Sequence, residues 1–346
     1  MKQHFSNLSR VMKAASHSKK SAMEMDKYII KMSNNERVNL TKLSAKDLRR
    51  LHYEEECWIA EKILKLPPFS LERNALMNKG YNFVIDVKNE YHYKEHGRKM
   101  SSMGTDKINA NLLSNLVLKK LKQNKAGQTV LYEAGVGMGF AIRHVLSFLK
   151  NTNKKMGELE FFIKGCDIYL SPDIIKLTEQ YPEIDVVQGN AYDCIKNLPE
   201  NSIDVFYADN VLEHFCPDEI EAIICEIGKK LKSDAYVFLN IPNKYIGPSD
   251  VSKYYLPFGS KAKGFHFMEM SFNEITKMMN KYKIIHSHCV FRIPKIWAFC
   301  IRSKFLIKLK LRLEPVFAKI PTRVFRCGIF RLGQYNISIM KKTDVQ

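Results

Sequence analysis

A short glycine-rich segment constrains the fold of this chain more strongly than any other stretch. Residues 130–146 read VLYEAGVGMGFAIRHVL, in which apolar residues of β-strand character precede three glycines and a helical apolar pattern. A strand, a glycine loop and a helix in this order form the first unit of a nucleotide-binding α/β sheet. Glycine allows a sharp turn there and lets a ligand approach without a Cβ in the way. The segment therefore predicts a ligand site at the end of the first core strand.

The spacing of the glycines separates two kinds of nucleotide site. A dinucleotide site needs G-x-G-x-x-G, and counting from Gly135 its third glycine would fall on Phe140. The chain has E-x-G-x-G-x-G instead, running from Glu133 through Gly135 and Gly137 to Gly139. A glycine-rich turn that binds no ligand is the alternative, so the assignment depends on the segments that follow.

Strands alternate with helices after this segment. Strands are predicted over 129–133, 160–166, 185–188, 203–208, 235–241 and 283–291, with a closing strand over 335–340. Helices are predicted over 140–150, 172–181, 217–232 and 271–282. Ser271 and Glu274 form a capping box at the start of the last of these helices. The alternation predicts an α/β fold with a seven-stranded, mostly parallel sheet and an antiparallel closing strand.

Residues 1–105 are predicted to form an N-terminal helical extension, followed by the main domain over 106–346. Residues 44–66 carry apolar side chains at helical spacing, and Pro67-Pro68 ends that helix. A further helix is predicted from residue 70 to about residue 81. Residues 90–106 are predicted to be a polar connector, and a helix over 107–122 leads into the core.

Further segments in a fixed order carry a family resemblance. After the glycine loop come GCDIYLSP, which includes Asp167, then VQGNAYDCIKNLPENSIDVFYADNVLEHF at 187–215, FLNIPN at 238–243 and GFHFMEMSFNEITKMM at 264–279. Together they resemble class I S-adenosylmethionine-dependent methyltransferases, in particular their general small-molecule and glycan methyltransferase subgroup. The resemblance covers residues 130–290 and implies a Rossmann-like fold. It does not extend over 1–100 or 292–333.

The resemblance implies a site for S-adenosyl-L-methionine as methyl donor. A carboxylate such as Asp167 suits the ribose hydroxyls because it only accepts hydrogen bonds, although a helix cap is the alternative role. Asn190 replaces the usual acid on the adenine side, and its amide oxygen would face the adenine amino group. The residues implied to bind the cofactor are Glu133, Gly135, Gly137, Gly139, Asp167, Ile168, Asn190, Ala191 and Asp209.

The resemblance also implies in-line methyl transfer, which needs alignment of the reactants and a base for a hydroxyl acceptor. His214 and His266 both follow strands at their carboxyl ends, where ligands bind in open α/β sheets. His266 is predicted to be the substrate-side base. His214 is the second candidate, with packing of the loop beneath the cofactor as its alternative role. The eight cysteines show no C-x-x-C spacing, so no metal site is predicted.

The formal net charge of +19 points to an anionic partner. Residues 292–346 carry 13 Lys and Arg against Glu314 and Asp344, and residues 292–333 form a basic, apolar insert before the last strand. Within the insert, IKLKLRL at 307–313 alternates strictly, which favours a strand, with interfacial helices as the alternative. The insert is predicted to lie on an anionic membrane surface, and a solvated basic loop is the alternative.

Three functions compete for this chain. The first is O-methylation of a sugar, glycolipid or other small metabolite, so the expected partner is a small-molecule, glycan or lipid-linked acceptor. The second is methylation of nucleic acid, in particular RNA, which the charge favours and the lack of a base-methylation motif disfavours. The third is a non-catalytic scaffold. The first residues lack an apolar signal core and no apolar run could span a bilayer, so the expected location is cytoplasmic, peripheral at the inner face of the membrane.

Overall fold

The computed structural model describes residues 29–32, 36–97, 107–124, 127–152, 160–293, 297–317 and 336–343. Its backbone divides into two compact units. The first unit takes the described residues of 1–63 and 75–101, and the second takes 64–74 and those of 102–346. The domain boundary expected after residue 105 stays a prediction.

The first unit combines a short β-hairpin with helices. Strands β1 (Ile29–Lys31) and β2 (Arg37–Asn39) pair antiparallel, and helix α1 (Ala45–Ile63) follows. Helix α2 (Leu71–His96) continues well past residue 81 and takes up the start of the predicted polar connector. The connector prediction was wrong for residues 90–96, because the buried positions Val87 and Tyr91 extend the apolar face of α2 by another turn. Residues 98–106 lie outside the described part.

The second unit contains the predicted α/β core. Its strands are β3 (Thr129–Ala134), β4 (Phe161–Asp167), β5 (Ile184–Gln188), β6 (Ile203–Asp209), β7 (Leu231–Ile241), β8 (Ile284–Ile293), β9 (Trp297–Ile301) and β10 (Asn336–Lys342). Its helices are α3 (Lys107–Gln123), α4 (Phe140–Thr152), α5 (Pro172–Gln180), α6 (Ala191–Lys196), α7 (Ile220–Lys230), α8 (Phe272–Asn280) and α9 (Lys304–Phe317). Helix α6 was not predicted.

The described strands of this unit form one eight-stranded sheet in the order β5-β4-β3-β6-β7-β10-β8-β9. Strands β5, β4, β3, β6 and β7 run parallel, and β10 lies antiparallel between β7 and β8. The mostly parallel sheet and the antiparallel closing strand are therefore confirmed. The sheet has one strand more than the seven predicted, because β9 folds back antiparallel onto β8 at the start of the expected insert.

Both faces of the sheet are buried. Leu131 on β3 packs into one apolar cluster with Val145 of α4, whereas its neighbour Tyr132 packs into the opposite cluster with Ile227 of α7. Successive strand side chains point to opposite faces, so a strand that is covered on both sides reads as continuously apolar. With its faces covered by helices, the sheet offers a ligand the ends of its strands.

The segment at 307–313 is part of helix α9, so the strand prediction was wrong there. Ile307, Lys310 and Glu314 are buried and share one helical face at spacings of three and four residues. The Glu314 carboxylate accepts hydrogen bonds from the Phe272 amide at 2.6 Å and the Asn273 amide at 2.8 Å, the first amides of α8. Because a helix N-terminus attracts negative charge, this contact fixes α9 against α8 and outweighs the alternating pattern.

Candidate active site

The glycine loop between β3 and α4 is shaped by left-handed backbone conformations. Gly135, Gly137 and Gly139 have φ values of 73°, 53° and 71°, which residues with a Cβ rarely adopt. A Cβ on Gly139 would lie 2.5 Å from the Cδ1 of Ile174 on α5. A Cβ on Gly135 would clash with the side chain of Val211. The loop therefore presents bare backbone, as a site that brings a ligand against main-chain amides requires.

Asp167, the last residue of β4, holds this loop in place. Its Oδ2 accepts a hydrogen bond from the Gly137 amide at 2.8 Å, and its Oδ1 accepts one from the Tyr169 amide at 3.1 Å. Burial raises the pKa of Asp167 and outweighs the opposite effect of these hydrogen bonds. The carbonyl of the neighbouring Ile168 accepts from the Gln188 side chain at 3.1 Å. Each Asp167 oxygen keeps acceptor capacity, so its predicted role as a ribose ligand stays a prediction.

Three carboxylates meet at the carboxyl ends of β3, β4 and β6. They belong to Glu133, Asp167 and Asp209. Burial raises the pKa of Glu133 well above its usual value, and the charges of Asp209 and Asp167 raise it further. Glu133 Oε2 has no hydrogen-bond partner among the described residues. A positively charged ligand group would therefore be favoured at this point.

Asp209 is held by a ring of donors. Its Oδ1 accepts from the side-chain amides of Asn240 at 2.6 Å and Asn210 at 2.8 Å. Its Oδ2 accepts from the Tyr207 hydroxyl at 3.0 Å and from the Asn109 amide at 3.1 Å. Four donors leave the carboxylate with a fixed orientation before any ligand binds.

The predicted adenine side lies at the start of α6, where Ala191 is the first helical residue. Asn190 caps this helix: its oxygen accepts from the Tyr192 amide at 2.8 Å, and its side-chain nitrogen donates to Asn74 at 3.0 Å. The oxygen expected to face the adenine thus already serves as a helix cap. The Tyr192 ring stacks on Phe69 with centroids 3.9 Å apart. Sequence reasoning missed Phe69 and Asn74, since nothing in their local pattern marks a contact more than a hundred residues away.

The two histidines predicted to be catalytic lie side by side. His214 ends a short 3-10 helix after β6, His266 lies in the loop after β7, and their ring centroids are 5.0 Å apart. His214 Nδ1 donates to the Phe265 carbonyl at 2.9 Å, and His266 Nδ1 lies 3.1 Å from a Glu269 oxygen. Burial disfavours the proton on His266, but the bond to Glu269 and the charge of Glu213 outweigh it, and the net pKa of His266 is raised.

Glu213 belongs to the same cluster and was missed from the sequence. Its side chain is fully buried, and neither carboxylate oxygen has a hydrogen-bond partner in the described part of the chain. Burial raises the pKa of Glu213 to about 8. The only signal in the sequence was its place directly before His214 in the Leu-Glu-His segment.

Comparisons with known proteins identify the central segment. Residues 135–239 match a family model described as a methyltransferase domain, Methyltransf_11. No curated protein sequence matches the chain.

Several solved structures resemble the chain at low identity. One is the 1,6-didemethyltoxoflavin-N1-methyltransferase of Burkholderia thailandensis, at 13% identity over 81% of this chain and 93% of that chain, with a TM-score of 0.45. Another is phosphoethanolamine N-methyltransferase 2 of Haemonchus contortus, at 15% identity over 80% of this chain and 59% of that chain, with a TM-score of 0.45. A third is a SAM-dependent methyltransferase from Archaeoglobus fulgidus, at 18% identity over 68% of this chain and 94% of that chain, with a TM-score of 0.39. No acceptor follows from resemblances this distant.

The packing of the glycine loop on α5 can be tested by a double-mutant cycle. We expect Gly139→Ala to cost about 1–3 kcal/mol of unfolding free energy, because its Cβ meets Ile174 Cδ1 and its φ is positive. Ile174→Val removes that atom at a cost of about 0.5–1.5 kcal/mol. The double variant should be more stable than the sum of the two costs implies, by at least about 0.5 kcal/mol in urea denaturation. Strictly additive costs would contradict a direct clash.

Proposed function

We propose that this protein, whose residues 135–239 match a methyltransferase domain, is a class I S-adenosylmethionine-dependent methyltransferase that methylates a hydroxyl oxygen of a sugar, glycolipid or other small metabolite. The observation that carries the proposal is the position of Asp209 between two groups of side chains. Its charge raises the pKa of Glu133 beside the glycine loop and also that of Glu213 beside the histidines. The cofactor side and the proton-accepting side are therefore neighbours.

On the cofactor side, the proposed ligands are backbone amides of the glycine loop and the carboxylates around it. S-adenosylmethionine carries a positive sulfonium, which the negative charge of Asp167 and Asp209 around Glu133 would attract. Asp167 would accept from the ribose hydroxyls while it keeps the Gly137 amide as donor. Asn190 and Ala191 would lie against the adenine.

In the proposed reaction, an acceptor hydroxyl oxygen attacks the methyl carbon in line with the carbon–sulfur bond. The new carbon–oxygen bond forms as the carbon–sulfur bond breaks, and neutral S-adenosylhomocysteine leaves. The hydroxyl proton passes to a base, for which His266 Nε2 is the candidate because its Nδ1 is already bound to Glu269. His214 fixes the neighbouring backbone through the Phe265 carbonyl.

The loop after β7 supplies features that suit a sugar or phosphate-bearing acceptor. Asp250 closes this loop, because its Oδ1 accepts from the Ser252 amide at 2.9 Å and its Oδ2 from the Gly264 amide at 2.7 Å. The closed loop exposes three lysines and two tyrosines: Lys253, Tyr254, Tyr255, Lys261 and Lys263. Lysine binds phosphate as a point charge, and tyrosine offers an apolar ring with a polar tip.

Helix α9 suits an anionic membrane surface. Its outward face exposes Phe305 by 71% and Val316 by 56% of their surface. Lys304, Lys308 and Arg312 are exposed along the adjacent stripe, and the single acid of the helix, Glu314, is buried. No helix in the described ranges is long and apolar enough to cross a bilayer. The exposed apolar and basic side chains of α9 support the proposal that the enzyme attaches peripherally to an anionic membrane surface, at the cytoplasmic face expected from the sequence.

The ribose role of Asp167 can be measured by calorimetric titration with S-adenosylhomocysteine. Each lost hydrogen bond to a charged group costs about 1.5–3 kcal/mol, so Asp167→Ala should weaken binding by about 10- to 150-fold. Asp173→Ala is the matched control, since it removes an exposed carboxylate from the first turn of α5. Equal affinity of the Asp167→Ala and wild-type proteins would refute the assignment.

The acceptor class can be read from the fate of a labelled methyl group. We expect label from tritiated S-adenosylmethionine to enter the lipid- or sugar-bearing fraction of a membrane extract, and His266→Gln to lower the rate by at least about 100-fold. His288→Gln, on β8, is the matched control. Label in RNA would identify a nucleic-acid methyltransferase instead. Tight cofactor binding without transfer to any fraction would favour a scaffold.

Membrane attachment can be tested by co-sedimentation with vesicles that contain phosphatidylserine. Replacing Phe305 and Val316 together by serine should weaken attachment at least about 10-fold, because the buried apolar area is lost. The matched control is Ile175→Ser, which removes an exposed apolar side chain from α5. Cofactor affinity should not change in either variant. Equal sedimentation of the double variant and the wild type would rule out attachment through α9.

A further inference from the structure

Glu213, His214 and His266 have the geometry of a metal site. One ligating atom from each residue lies within 4.8 Å of the ligating atoms of the other two. Two imidazoles and one carboxylate are a ligand set that divalent first-row transition metals favour. The three residues come from two different loops, one after β6 and one after β7, so the fold itself brings them together.

The hydrogen bonds of both histidines set the tautomer that a metal needs. The Phe265 carbonyl can only accept, so His214 must carry its proton on Nδ1. The Glu269 carboxylate likewise accepts a hydrogen bond from the Nδ1–H of His266. In the neutral form of each ring, the lone pair therefore lies on Nε2. Metal-binding histidines in proteins commonly show this arrangement, in which the other ring nitrogen donates to a carboxylate or carbonyl.

The carboxylate behind His266 is rigidly held. Glu269 Oε1 also accepts from the Ser249 amide at 2.6 Å. On its other side, Glu269 packs so closely on Gly247 that any Cβ there would collide with Oε2. A fixed partner of this kind orients the imidazole before an ion arrives.

The surroundings of the Glu213 side chain point to a bound cation independently of the distances between the three residues. Its side chain is fully buried, and both of its oxygens lack a hydrogen-bond partner within the described residues. Its backbone is tied down by the Met268 amide, which donates to its carbonyl at 3.1 Å. A buried carboxylate without a partner is costly, and a bound cation would compensate for that cost.

In a second cluster of possible metal ligands, the protein itself supplies a positive charge beside the carboxylates. Cys216, Asp218 and Glu219 also lie within ligating distance of one another. However, the Arg73 guanidinium already lies 3.0 Å from Asp218 and 2.9 Å from Glu219. Both carboxylates thus already have a cationic partner in the protein, whereas neither carboxylate oxygen of Glu213 has a hydrogen-bond partner among the described residues.

We propose that Glu213, His214 and His266 bind a divalent first-row transition-metal ion through one carboxylate oxygen and two Nε2 atoms. The sequence prediction of no metal site rested on the lack of C-x-x-C spacing. That spacing marks cysteine-ligated sites and says nothing about a site made of one carboxylate and two imidazoles. Three protein ligands leave open positions on the ion. If the proposed O-methylation holds, the acceptor hydroxyl would bind there and lose its proton more readily, so the ion would replace the histidine as activator.

The experiment is a titration of the full-length protein with Co²⁺, followed by visible absorption, without S-adenosylmethionine or acceptor. We expect one equivalent to bind and Zn²⁺ to displace it. Glu213→Gln and His266→Gln should each weaken Co²⁺ binding at least about 100-fold. His144→Gln, which changes a half-buried histidine bonded to Asn111, is the matched control and should bind as the wild type does.

Circular dichroism checks the fold of each variant. Should Glu213→Gln fail to fold, Glu269→Gln tests the same site from outside it, with an expected loss of about 10- to 100-fold. Unchanged affinity in the folded variants would overturn the proposal, as would an absorption spectrum of cobalt–thiolate type. Because no methyl transfer enters this measurement, a failure here leaves the proposed function intact. Conversely, binding without any methyl transfer would leave the metal site standing.

Discussion

The hydrogen bond from the Gly137 amide to the Asp167 carboxylate is the interaction on which the site depends. It joins the loop after β3 to the end of β4, the neighbouring strand. The loop can make it only because its glycines adopt left-handed conformations. The same carboxylate then contributes to the negative charge around Glu133. One contact thus sets both the backbone geometry and the negative charge at these strand ends, so the glycine loop is organised without a ligand.

The parts of the site that could be predicted share a physical property, which is that a local pattern fixes them. The three glycines and Asp167 lie in or next to strand–loop–helix units whose geometry repeats among α/β sheets. His214 and His266 could be proposed one by one from their places after strands. Their contact could not, because it depends on the path of the loop that Asp250 and Glu269 hold. The stacking of Phe69 on Tyr192 lay equally beyond any local pattern.

Helix α9 shows why the alternating segment misled. A period of two usually marks a strand because one face is buried, yet here Lys310 and Glu314 point inward together with Ile307. Lys310 lies over the Phe272 ring with its Nζ 4.2 Å from the centroid, and burial lowers its pKa to about 8. A buried lysine is a poor cue for a core position, so hydrophobic periodicity could not reveal this helical face. The contact with α8 decided the conformation.

The place of β10 has a consequence for how the chain acquires its fold during synthesis. Of the described strands it leaves the ribosome last, yet it lies inside the sheet between β7 and β8. Until residues 336–342 emerge, neither of these two strands has its neighbour on that side, and their backbone groups stay open to other chains. The sheet is therefore completed only after every other described strand has been synthesised.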